Sequence, residues 1–332
     1  MSKDYIATYQ AHTNIALIKY WGKRNQDLML PVTSSLSLTL EAFYSQTQVH
    51  FAKDYASDQF ILNDQPQSKN EVQKISNFLD RFRQLKATDL KAKVTSYNHV
   101  PTAAGLASSA SAFAALACAC NGALELNLPQ KELSIMARFG SGSASRSLFG
   151  GFVEWEKGQG DDSQSSFAHP FDEADWDIAM IALIVNQAAK PFSSRQAMQH
   201  TIESSPFYAL WAEEVASDLK HIKRAIKARD IHQIGQIAEH NAMKMHATML
   251  AANPSFTYFQ AESLQAMEAV RQLRKAGLTA YFTMDAGPNV KIICPYSEVP
   301  AIQAHLSKAF DPQNIIVSRP GPQPFPIPTF KN

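Results

Sequence analysis

The chain has 332 residues, 45% of them hydrophobic and 18% charged, with a formal net charge of +1. That length suits two domains or one large α/β unit, and the composition excludes a disordered chain. The missing basic excess excludes a dedicated nucleic-acid binder, so any anion site must be a local cluster. The three cysteines, Cys118, Cys120 and Cys294, cannot form a disulfide framework and read as small buried residues in a reducing compartment. Residues 1–14 carry no apolar run and no cleavage pattern. The expectation is a soluble cytoplasmic protein with no membrane partner.

In chain order, residues 11–23 (AHTNIALIKYWGK) place two lysines and two aromatics at the end of an apolar run. Lys19 and Lys23 can serve as point cations for phosphate, or can belong to a solvated strand end. Asn14 and Lys19 among apolar residues favour function, because unpaired buried polar groups are costly. Residues 49–51, 91–97 and 151–156 read as strands.

Residues 101–112 (PTAAGLASSASA) follow one of these strands and open a small-residue segment, 110–126, that reads as a buried helix. Ser108 and Ser109 fall where free backbone N–H groups and the helix dipole make an anion site. A plain serine-capped helix fits equally well. No Walker P-loop string occurs.

Residues 140–151 (GSGSASRSLFGG) read as a flexible, donor-rich loop around Arg146, whose planar fork matches a carboxylate. Residues 157–175 are polar and read as a loop near a domain junction, with the boundary within 175–190. Residues 180–185 read as a buried strand. Residues 190–195 open a helix, with Ser193 and Ser194 as N-cap candidates. Trp211, Val215, Leu219, Ile222 and Ile226 share one helical face. Further helices are predicted over 231–250, 260–275 and 299–310.

Residues 278–284 and 290–294 predict a hairpin around the turn-rich segment 285–289. Asp285 there is either a turn aspartate or a catalytic group. The tail after residue 320 is proline-rich and reads as extended. No zinc-type histidine spacing and no G-x-S-x-G elbow occurs.

The pattern Pro-x-x-x-Gly-Leu-x-Ser-Ser at 101–109 resembles the phosphate loop of the GHMP kinase superfamily. Residues 11–23, 101–117, 140–155 and 284–291 resemble its diphosphomevalonate decarboxylase branch, which carries Gly-Leu-Ala-Ser-Ser where the kinases usually carry Gly-Leu-Gly-Ser-Ser. The resemblance covers nearly the whole chain. It implies an α/β (α+β) GHMP kinase fold. An N-terminal part like ribosomal protein S5 domain 2 (residues 1–185) and a ferredoxin-like C-terminal part (186–332) would enclose the active site in their cleft.

The resemblance also implies ATP-dependent decarboxylation of mevalonate 5-diphosphate to isopentenyl diphosphate, with ATP, Mg2+ and a homodimer. Asp285, Lys19 and Arg146 would be catalytic. Tyr20, Lys23, Ser141, Gly142, Ser143, Arg146, Ser194 and Arg195 would bind substrate. Ser96, Asn98, Pro101, Gly105, Leu106, Ala107, Ser108 and Ser109 would bind ATP, with Ser108 the candidate metal contact. Two rivals are a kinase of the superfamily that stops before decarboxylation and a non-catalytic binding protein of the same fold.

Overall fold

A computed structural model describes residues 5–100, 108–186 and 192–330. Two long strands, Tyr5–Ile18 and Ser35–Ala52, pair antiparallel and form the spine of an eight-stranded sheet. Lys91–His99 continues that sheet antiparallel, and Gln59–Leu62 lies parallel beside it. The other end of Ser35–Ala52 pairs with Phe152–Trp155, which pairs with Ala168–Asp172. Register shifts fall at His12/Thr13 and Ala16/Ile18. The second shift comes just before Lys19, and such irregularities commonly re-aim the residues beside them.

The second sheet has four antiparallel strands in the order Tyr281–Thr283, Val290–Cys294, Ala179–Leu183, Ile315–Ser318. Its central strand explains the continuous apolar run seen in the sequence. Met180, Ala182 and Ile184 face a core shared with helices Tyr208–Lys227 and Ile231–Leu250 and with the first sheet. Ala179, Ile181 and Leu183 face helix Ala261–Lys275 on the other side. With both faces covered, alternation disappears. The first sheet buries its outer face under helices Lys69–Lys86, Ser108–Ala123 and Gln130–Gly140. The order is therefore helices, sheet, helices, sheet, helices. Among the described residues no helix is long and apolar enough to cross a membrane.

Two sequence expectations change. Residues 140–151 are not a flexible loop: Gly142–Leu148 is a 3-10 helix with Ala144, Ser145, Arg146, Ser147 and Leu148 all buried. Residues 157–175 hold the strand Ala168–Asp172, so the segment belongs to the first sheet. Its polar groups meet a buried partner, because the fully buried Arg138 donates to Ser163 O and Ser163 Oγ, and to Ser166 O. The strand Ala179–Leu183, just after this segment, pairs in the second sheet. The chain end then returns to the first sheet, where Phe325–Pro326 pairs with Gln10 and Tyr9.

Candidate active site

A cleft of about 870 Å3 opens where the end of the first long strand, the helices covering the first sheet, the start of helix Ser194–Ser204 and residues 285–286 meet. The end of strand Tyr5–Ile18 delivers Lys19, Tyr20 and Lys23 to it, and the 3-10 helix delivers Gly142, Ser143 and Arg146. Helix Ser108–Ala123 begins there with Ser108 and Ser109. Helix Ser194–Ser204 begins there with Ser194 and Arg195, Ser193 serving as its N-cap in a capping box with Gln196. Ser96, Ser141 and Asp285 also line the cleft.

At its closed end, Lys19 Nζ donates to Asp285 Oδ1 at 2.8 Å and to Ala16 O at 2.6 Å. Lys19 is 1% exposed, and its backbone N–H donates to Asn241 Oδ1 at 2.8 Å. Burial pushes its ammonium pKa down, Asp285 pulls it up, and Lys291 and Arg146 oppose the charge further. Arg146 is 2% exposed and donates to Asn14 Oδ1 at 3.0 Å and Ser35 Oγ at 2.6 Å. Burial lowers its pKa to about 10, so it stays cationic at neutral pH. Asn14 in turn donates to Ser143 O at 3.0 Å and Ser147 Oγ at 2.8 Å, so the polar residue inside the apolar strand is fully employed.

Tyr20 presents a buried hydroxyl with no hydrogen-bond partner among the described residues, and burial raises its pKa. Its ring packs edge-on against Trp155, 4.8 Å between centroids. Lys23 is half-buried, and burial followed by repulsion from Arg195 lowers its pKa to about 8. The hydroxyls of Ser109, Ser141 and Ser143 form a chain with 3.2 Å steps. Among the described residues, six cations (Lys19, Lys23, Lys74, Arg81, Arg146, Arg195) line the cleft against two carboxylates, Glu71 and Asp285. The site is therefore built for an anion, although the whole chain is nearly neutral.

Of the sequence-predicted residues, Asn98 is not among the described lining residues; it accepts from Ser45 Oγ at 3.2 Å and donates to Val100 O at 3.3 Å. Pro101, Gly105, Leu106 and Ala107 lie outside the described residues. Sequence reasoning missed an apolar end of the cleft lined by Phe60, Ile75, Phe78, Val94 and Phe113. Those residues come from two strands and two helices, so no local pattern joins them. It also missed Lys291, fully buried with Nζ 3.5 Å from Asp285 Oδ2. A lysine inside the apolar run VKIIC carries the same signal that pointed to Lys19.

A family model described as diphosphomevalonate decarboxylase-like N-terminal domain matches residues 11–168, and one described as mevalonate 5-diphosphate decarboxylase C-terminal domain matches residues 180–323. The chain belongs to the diphosphomevalonate decarboxylase family.

Diphosphomevalonate decarboxylase of Aspergillus fumigatus is 38% identical over 87% of this chain and 76% of its own length. The human enzyme is 34% identical over 92% of this chain and 80% of its own. Mevalonate diphosphate decarboxylase of Enterococcus faecalis has a solved structure similar to this one: 47% identity, TM-score 0.92, covering 98% of this chain and 100% of that one. The Staphylococcus aureus structure gives 45%, a TM-score of 0.94, and 98% and 99%. A further structure, described as MDDEF in complex with MVAPP, AMPPCP and magnesium, gives 47% and 0.93 over 98% of this chain and 100% of that one. The fold is thus that of the diphosphomevalonate decarboxylases, as the sequence resemblance implies.

Proposed function

We propose that this protein converts mevalonate 5-diphosphate and ATP into isopentenyl diphosphate, ADP, phosphate and carbon dioxide. The observation that carries this reading is one carboxylate, Asp285, held 2.8 Å from the buried Lys19 in a cleft that also presents Arg146. A carboxylate beside a cation suits removal of a hydroxyl proton next to a phosphoryl acceptor.

In this reading Asp285 orients the C3 hydroxyl and takes its proton as the oxygen attacks the γ-phosphorus of ATP. Lys19 stabilises the charge on the transferring phosphoryl group. The C3 phosphate then leaves with its bonding electrons. The electrons of the breaking carboxyl bond fill the C3 deficit and form the double bond. Arg146 grips the substrate carboxylate until that step, its orientation set by Asn14 and Ser35. Tyr20, Lys23, Ser141, Gly142, Ser143, Ser194 and Arg195 surround the diphosphate, supported by the unsatisfied Tyr20 hydroxyl and the serine chain.

The apolar end of the cleft suits the adenine ring, with Ser96 beside it and the helix start at Ser108 and Ser109 taking the phosphates. The donor set also fits magnesium. Both described carboxylates of the cleft are ion-paired, Glu71 with Lys74 and Asp285 with Lys19, while hydroxyl oxygens are plentiful. That suits an ion held mostly by phosphates and water, with Ser108 as the protein contact. Magnesium, when bound, would neutralise phosphate charge during transfer.

The two-part division is supported best with the break in residues 173–178, between the last strand of the first sheet and the first strand of the second. A homodimer rests on the family resemblance, and a cytoplasmic location on the cysteine usage read from the sequence. The deciding experiment follows ADP and carbon dioxide together, using purified protein, Mg-ATP and mevalonate 5-diphosphate. Equal release of both supports the reading. ADP without carbon dioxide would convert it to a kinase, and neither product would leave a binding protein.

A further inference from the structure

Asp285 is gripped from two sides. Lys19 reaches Oδ1 from the first sheet, and Lys291 approaches Oδ2 to 3.5 Å from the strand Val290–Cys294. Lys291 is 0% exposed, and its strand neighbours Val290, Ile292 and Ile293 are all core. An unbranched apolar side chain would fill that position without desolvating an ammonium, so packing alone does not explain the charge. Its Nζ also donates to Asn289 O at 3.2 Å. Asn289 Oδ1 accepts from Val185 N at 2.6 Å and Asn186 N at 3.0 Å, and its amide donates to Asn186 O at 3.0 Å. Lys291 therefore ties the Asp285 turn to the strand beneath it.

We propose that Lys291 is a positioning residue for Asp285: it orients the carboxylate through Oδ2 and keeps it ionised while Lys19 is drawn toward the incoming phosphoryl group. This rests on the assignment of Asp285 as the base. Lys19 cannot serve both partners fully, because the phosphoryl group carries more negative charge than the carboxylate. A second fixed ammonium keeps Asp285 from following Lys19 or taking a proton from solvent.

Among the described residues, charged and titratable groups facing Asp285 include Lys19 from the end of the first strand, Arg146 from the 3-10 helix, Lys291 from its own hairpin and His246 from helix Ile231–Leu250. Burial first, then Lys19, lowers the His246 pKa to about 3, so it stays neutral over the working range of the test. Burial also pushes the Lys291 ammonium down, and Asp285 pulls it back up.

Lys291→Met preserves length and removes the charge. Losing a cation near a carboxylate makes protonation easier, so the acid limb of the kcat–pH profile moves up by about one pH unit. At neutral pH, kcat falls about tenfold through lost orientation, while KM for both substrates stays within about twofold. A merely structural lysine would lower the melting temperature and leave the limb in place. Independently of turnover, the Asp285 side-chain carbon, assigned by its loss in Asp285→Asn, is titrated by NMR in ligand-free wild type and variant. An upward shift there with an unmoved kinetic limb supports the Lys291 contact and removes Asp285 as base. No shift in either measurement overturns the proposal. Lys291→Gln, read the same way, replaces the methionine variant if that one does not fold.

Discussion

Lys19, Arg146 and Lys291 are cations with at most 2% exposure, and Asp285 is the one described carboxylate within salt-bridge reach of either lysine. Burying charge is expensive, so their convergence is a functional signal rather than a packing solution. Asp285→Asn keeps the shape and removes the proton acceptor. We expect kcat to fall at least about a hundredfold with mevalonate 5-diphosphate affinity within about tenfold by calorimetry; activity near wild type would remove Asp285 from its role. Arg146→Lys loses the planar fork and strands Asn14 Oδ1 and Ser35 Oγ, so kcat/KM should drop about 10–100-fold. Lys23 supplies a pH test. With its pKa lowered to about 8, it is charged below that pH and neutral above it. KM for the diphosphate substrate should therefore rise as pH passes about 8, and Lys23→Arg should flatten that rise, both read from KM–pH profiles.

At the scale of elements, the site depends on how chain ends are aimed. Just beyond the end of strand Tyr5–Ile18, Gly22 adopts φ +131°, and a Cβ there would sit 1.8 Å from the Tyr208 hydroxyl. That hydroxyl donates to Trp21 O at 2.8 Å and links the strand end to helix Tyr208–Lys227. Gly22→Ala should cost roughly 2 kcal/mol or more of stability in chemical denaturation, because both the backbone and the contact are violated. The helix Lys69–Lys86 contributes Ile75 and Phe78 to the apolar end of the cleft. Phe78→Ala should raise KM for ATP by about 3–10-fold and leave KM for mevalonate 5-diphosphate unchanged. An equal rise in both would place the nucleotide elsewhere. Helical faces such as Trp211, Val215, Ile222 and Ile226 were legible in the sequence because 3.6-residue spacing is a local property. The 3-10 helix Gly142–Leu148 was not: its glycines and serines mimic a linker, and only burial against neighbouring elements makes it ordered.

For the molecule as a whole, a net charge of +1 hides a cleft whose described lining holds six cations and two carboxylates. Segregating charge in this way focuses the field on a polyanionic substrate. Added salt should raise KM for mevalonate 5-diphosphate several-fold, with kcat changing less, since screening weakens attraction more than contact chemistry. The sequence by itself determined the family, the helix faces and the apolar strands, and it named most of the described polar residues of the cleft but not its apolar end, because motif wording and periodicity are written locally. Tertiary structure decided which of those residues meet. Lys19 and Asp285 are 266 positions apart, and Arg146 is 132 from Asn14. Strand register and the burial of both sheet faces bring them together, and neither is encoded in any one window. The same non-local packing made Lys291 a partner of Asp285, recruited residues 168–172 into the first sheet, and returned the chain end to the strand where it began.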